Sequence, residues 1–169
     1  MKRGLFMVMT ALVVITIPSL AQTSVMGNIQ TEIVVPTTIA ETELLNFGKI
    51  VSKSDGGSVV LSPKNNRVSG GNVTLTNDQY SAAGFVVTGL PNTLISMILP
   101  QSVQKIYSNN GSYELAVDQF ISNIPTNGQL TNSEGKLEIN VGATLNIGNY
   151  TSNPSGVYSG TYEIIFPNN

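Results

Sequence analysis

An all-β fold, an antiparallel β-sandwich of about eight or nine short strands, follows from three features of the sequence. Apolar and polar residues alternate with a period of two along most of the chain. No stretch holds a helical period for more than a turn, "SVQKIY" (102–107) being the one candidate. Gly, Pro and Asn recur at the ends of the alternating runs, where they favour turns. A closed barrel is the alternative arrangement. Irregular spacing without an internal repeat disfavours a propeller or solenoid.

The elements follow in order. "NIQTEIVV" (28–35) places Ile29, Ile33 and Val35 on one face and stops at Pro36, and "LLNFGKIV" (44–51) is closed by the turn residues "SKSDGG". "GSVVLS" (57–62) ends at Pro63, and "KNNR" reads as the turn into "VSGGNVTLT" (68–76). The Gly70-Gly71 pair inside that run suggests a bulge or a close backbone approach. "AGFVVTG" (83–89) and "TLISMILP" (93–100) are short apolar strands bounded by proline. "SYELAVDQF" (112–120) sets Tyr113, Leu115 and Val117 against Glu114, Ala116 and Asp118. "NIPTNGQLTNSEG" (123–135) reads as a polar loop, and "KLEINVGATLNIG" (136–148) as a long strand crossing Gly142. The last run, "GVYSGTYEIIF" (156–166), puts Tyr158, Tyr162, Ile164 and Phe166 on one face.

Composition narrows the function. The 169 residues contain no Cys, His or Trp, which excludes thiol nucleophiles, Ser-His dyads, zinc fingers and imidazole-held metals. Charged residues make up 11% of the chain against 41% hydrophobic, so the surface is polar but uncharged rather than disordered. Net charge is −2 with no basic cluster after Arg3, which argues against nucleic acid. The carboxylates fall beside turns or on the polar faces of strands, without ligand spacing. "SKSDGGS" lacks the alternating acids of an EF-hand and the Lys-Ser/Thr of a P-loop, so it reads as a turn. No enzyme activity, metal or cofactor is expected.

The N-terminus has the form of a secretory signal. Lys2 and Arg3 precede an apolar run from Leu5 to Ile17, Pro18 breaks it, and Ser19-Leu20-Ala21 supplies small residues for cleavage between Ala21 and Gln22. The run is shorter than the roughly 20 residues of a spanning helix, so no transmembrane helix is expected in the mature form. Three segments result: a signal peptide (1–21), an N-terminal extension or first strand (22–35), and a β-sandwich domain (36–169). In the second, "QTSVMGNIQTEIVV", Val25, Gly27, Ile29 and Ile33 alternate with polar residues almost from the cleavage site. Two readings of it stand. It is the sandwich's own first strand, or residues ~22–30 add to the sheet edge of another subunit. Tyr158, Tyr162, Ile164 and Phe166 mark the acceptor edge, because residues 156–166 are expected to lack a partner on one side.

Several short motifs resemble a bacterial secreted β-sandwich domain family of unassigned function. They are "LLNFGKI" (44–50), "GSVVLSPKNNRVSGGNVTL" (57–75), "AAGFVVTGLPNTLISMILP" (82–100), "LEINVGATLNIG" (137–148) and "SGVYSGTYEIIF" (155–166). They carry that family's L-x-F-G, F-x-V-T-G-x-P, VGATL and G-x-Y-x-G-x-Y patterns in order. The last pattern also resembles that of chaperone–usher pilin-like subunits. The resemblance implies an exported immunoglobulin-like sandwich lacking its final strand, which a periplasmic chaperone fills first and the next subunit's N-terminal extension then replaces. Expected partners are a second copy of the chain, joined head to tail, and a chaperone and usher. The expected location is the periplasm, then the cell surface. The alternative is a self-contained secreted binding or adhesin module that takes a host or glycan ligand through loops near Asn109–Gly111 or Asn123–Gly135. The resemblance transfers no catalytic residue.

Overall fold

The computed structural model describes residues 24–33 and 35–167. Among them there is no helix; the chain is all-β, with every strand pair antiparallel. Ten strands form: β1 (Thr38–Glu43), β2 (Ile50–Leu61), β3 (Arg67–Leu75), β4 (Ala83–Thr88), β5 (Leu94–Ile95), β6 (Gln104–Ser108), β7 (Glu114–Ser122), β8 (Gln129–Leu130), β9 (Lys136–Ile147) and β10 (Tyr158–Ser159). Eight of them make one curled sheet in the order β1-β4-β9-β7-β6-β10, with the β2–β3 pair joined to β9. Strands β5 and β8 form a separate two-stranded sheet. The curl brings apolar faces together around one core, a sandwich-like arrangement.

Strand β9 organises the core. Its residues 136–141 pair with β4, and residues 143–147 pair with β2 along that same edge, while β7 occupies the other edge. Gly142 marks the passage from one neighbour to the next. A Cβ there would collide with the Leu61 carbonyl oxygen and crowd Pro63, so only glycine lets the end of β2 come this close. Ile139, Val141, Val59, Leu61 and Val87 are fully buried around this crossing. In β7 the alternation slips: Gln119 takes a φ of +48°, which turns Phe120 inward and leaves Ile121 exposed.

Several sequence expectations are corrected. Residues 28–33 of "NIQTEIVV" form no strand, and the first strand is instead "TIAETE" (Thr38–Glu43), exposed along its whole length. An edge strand with one partner needs little apolar alternation, so its two glutamates hid it. "SKSDGG" is not a turn. It runs inside β2, where residues 53–56 bulge opposite Asn72 alone and Gly56 has a φ of +67°. Asn72 Nδ2 donates to Asp55 Oδ2 at 2.9 Å and ties the bulge to β3. Gly70 and Gly71 face Gly57 across this approach, the close contact their pairing suggested. "SVQKIY" is not a helical turn but the start of β6. "TLISMILP" holds only β5 and a single bridge at Ile98, and the polar loop 123–135 contains β8. The closing run keeps a paired ladder only at β10, with one further bridge between Ile165 and Ile98.

Candidate strand-accepting cleft

The closing run is an extended segment, paired at β10 and bridged at Ile165, with one edge open among the described residues. From Tyr158 to Phe166 its side chains alternate between half-buried and exposed, except at Gly160, as an extended chain demands. Main-chain groups also alternate, between the two edges. Asn109 N–H donates to the Val157 carbonyl, Ser159 pairs with Tyr107, and Ile165 exchanges two hydrogen bonds with Ile98, so the odd-numbered residues face β6 and the Ile98 bridge. Gly160, Tyr162 and Ile164 therefore turn their N–H and C=O groups to the opposite edge. Among the described residues that edge carries no backbone hydrogen bond.

A second open edge faces it. Asn46 is bonded to Ser81, and the Lys49 carbonyl accepts from Thr76 N–H as the β2–β3 ladder begins. Leu45, Ile50 and Ser52 point their main chain the other way. Strand β9 covers that side of β2 only from Gly57 onward. Gly48, with a φ of +71°, resets the alternation so that Leu45, Phe47 and Ile50 all turn inward. Arg67 fixes this irregular stretch: its guanidinium donates to the carbonyls of Phe47 (2.6 Å) and Thr76 (2.5 Å) and lies 4.2 Å over the Tyr80 ring.

Between the two edges lies a cleft of about 1450 Å³. Its floor is Leu115, Val117, Phe120 and Leu145, and Ile39 and Glu41 of β1 reach its rim. It exceeds the roughly 300–1,000 Å³ of small-ligand pockets. Among the described residues, Glu41 and Lys49 are its only charged lining residues, and Lys49 also approaches Asp78 at 3.9 Å. The chemistry on offer is apolar burial plus two rows of free backbone donors and acceptors, which suits an extended peptide.

The structure brings the four sequence-predicted acceptor residues into one wall of this cleft: Tyr158, Tyr162, Ile164 and Phe166 all line it and pack on the core. Tyr158 hydroxyl donates to the Pro154 carbonyl at 2.8 Å, a corner that holds the start of the strand. The Tyr162 ring leans on Phe120, with centroids 5.3 Å apart, and its buried hydroxyl has no hydrogen-bond partner among the described residues. Desolvation, then the nearby Glu41 carboxylate, push the Tyr162 phenol up to about 12. The opposite wall, 45–52, is not legible in the sequence, because its run reads as an ordinary strand. Gly48 between Phe47 and Ile50 was the available signal.

The predicted donor residues belong to the other of the chain's two units. Val25, Gly27, Ile29 and Ile33 belong to residues 24–33, which form no strand. Val25, Ile29 and Ile33 are 88%, 98% and 91% exposed. The chain divides into two units after Ile33. Ala21 and Gln22, the expected cleavage site, fall outside the described residues. In the loop candidates, polar side chains are engaged locally. Asn110 Oδ1 accepts from Ser108 Oγ and Ser112 N–H, and Asn132 Oδ1 accepts from the N–H groups of Glu134 and Lys136. Among the described residues no helix is long and apolar enough to cross a membrane.

No curated protein and no solved structure matches the chain. One family model does, over residues 37–166, from the residue before β1 to the last apolar residue of the open wall, leaving the segment 24–33 outside it. The chain therefore belongs to the DUF4402 family, described as a domain of unknown function.

Proposed function

We propose that this protein is an exported structural subunit of a bacterial surface fibre, assembled when the N-terminal segment of one copy enters the cleft of the next. The observation that carries the reading is the pair of edges, 45–52 and 158–164, that flank an apolar cleft and have no strand between them among the described residues. Each edge lacks what a β-strand supplies: donors and acceptors on both sides and a row of apolar side chains every second residue. The segment 24–33 has that pattern, leaves its apolar residues in solvent, and stands outside the family domain.

The outer edges of the sheet support the same reading. Strand β1 carries Glu41 and Glu43, and β3 begins at Arg67 and contains the Gly70-Gly71 irregularity, devices that discourage edge pairing. Gly160, Tyr162 and Ile164 carry no charge at all. Export through the signal at 1–21 precedes assembly, and a periplasmic chaperone with an usher covers the cleft until a second copy arrives.

A synthetic peptide of residues 22–35 added to protein lacking residues 22–33 tests this. Peptide binding should raise the melting temperature by several degrees, and full-length protein should form SDS-resistant ladders that collapse on heating. Full-length protein that stays monomeric at high concentration, with melting unaffected by the peptide, rules the reading out.

A further inference from the structure

Among the described residues, no neighbour of Gly27 calls for a glycine. Nearly every other described glycine has a left-handed φ or a neighbour within 3.4 Å of where a Cβ would stand. Gly156 is the exception, with the Tyr158 ring at 3.9 Å. Gly27 has an ordinary φ and nothing within 4 Å, although glycine weakens a strand pattern.

The open wall has the complementary profile. Its inward row reads Tyr158, Gly160, Tyr162, Ile164: tall, low, tall, tall. At Gly160 the Ile106 side chain comes up from β6, its Cγ2 lying 2.8 Å from a Cβ position, so that point is a shallow apolar seat. The direction of an inserted strand is also set. Four antiparallel steps, β10–β6–β7–β9–β2, separate the two walls, so both run the same way. A strand antiparallel to one is antiparallel to the other, matching every pair in the sheet.

Resting on the strand-donation reading above, we infer that Gly27 of one copy sits opposite Tyr162 of the next, in an antiparallel register. Val25 then faces Ile164, Ile29 sits over Gly160 against Ile106, and Thr31 faces Tyr158. Gly27 is the residue that selects this register. A slip of one residue turns Met26, Asn28 and Gln30 inward. A slip of two sets Ile29 or Val25 against Tyr162, and in the latter case leaves glycine facing glycine over a void.

Because the chain has no cysteine, paired cysteines report the register without background. Outward-facing residues that the register brings together are Asn28 and Thr161. The variant N28C/T161C should form a disulfide-linked ladder under mild oxidation, whereas N28C/S159C and N28C/E163C should not. Linkage through position 159 or 163, or assembly without any linkage, overturns the register and leaves strand donation standing. Wild-type protein that does not assemble overturns both. Gly27→Leu should slow assembly on the order of tenfold or more by overpacking against Tyr162. Met26→Leu, which points away, should assemble as wild type. Equal rates for the two variants also overturn the inference.

Discussion

At the scale of single residues, Tyr162 and Arg67 set the character of the cleft. The Tyr162 hydroxyl is buried without a partner among the described residues, and such a group costs about 1–3 kcal/mol. Tyr162→Phe keeps the ring on Phe120 and removes that cost, so the free subunit should gain about 1 kcal/mol in urea unfolding. The same hydroxyl shapes the alkaline limb of stability. Its pKa in the fold, about 12, lies above the ordinary tyrosine value near 10, so folding favours the protonated phenol. Its contribution is whole below pH ~10 and is lost as pH rises through ~12. Tyr162→Phe should flatten that fall, and an unchanged alkaline profile would contradict the assignment. Arg67 acts on the other wall. Arg67→Lys cannot span both carbonyls and the Tyr80 ring, and should destabilise by about 2 kcal/mol. The inward turn of Tyr158 and Tyr162 was legible in the sequence because it follows the simplest rule, every second residue inward. Arg67 was not, since its partners are carbonyls 20 and 9 residues away, joined only by the fold.

At the scale of elements, the strands paired on both edges are legible in the sequence and the outer ones are not. Strands β4, β7 and β9 lie near their expected bounds because burial imposes the apolar alternation that the sequence displays. Strand β1 has one partner and no buried residue, so nothing in "TIAETE" announces it. In β2, "SKSDGG" has turn composition, yet β3 pairs with residues on both sides of it and the chain bulges instead of reversing. Tertiary pairing overrode local preference there. The N-terminal segment shows the converse: it alternates like a strand but has none within its own subunit. At Gly142 the long β9 must let β2 end against it, and Gly142→Val forces backbone apart at the centre of the core. Thermal melts should show a loss of about 3 kcal/mol or more, with failure to fold as the extreme.

At the scale of the whole domain, the strand order β2-β9-β7-β6-β10 is a curled sheet with a cleft between β10 and the start of β2, and the proposed donor strand would enter there. One added strand converts a curled sheet into a closed one, and a closed sheet has no edge along that path. The free subunit should accordingly exchange amide hydrogens fast at Gly160, Tyr162 and Ile164, and the assembled subunit slowly. Protection at those amides in the free subunit would contradict an open edge.

The shared direction of the two walls has a mechanical consequence. A tether seated between them and pulled along its length loads both rows of hydrogen bonds in shear, so they resist together and fail together. Strand β1, held by β4 alone, can instead be peeled one bond at a time. Under tension the proposed fibre should yield within its domains before its joints slide apart.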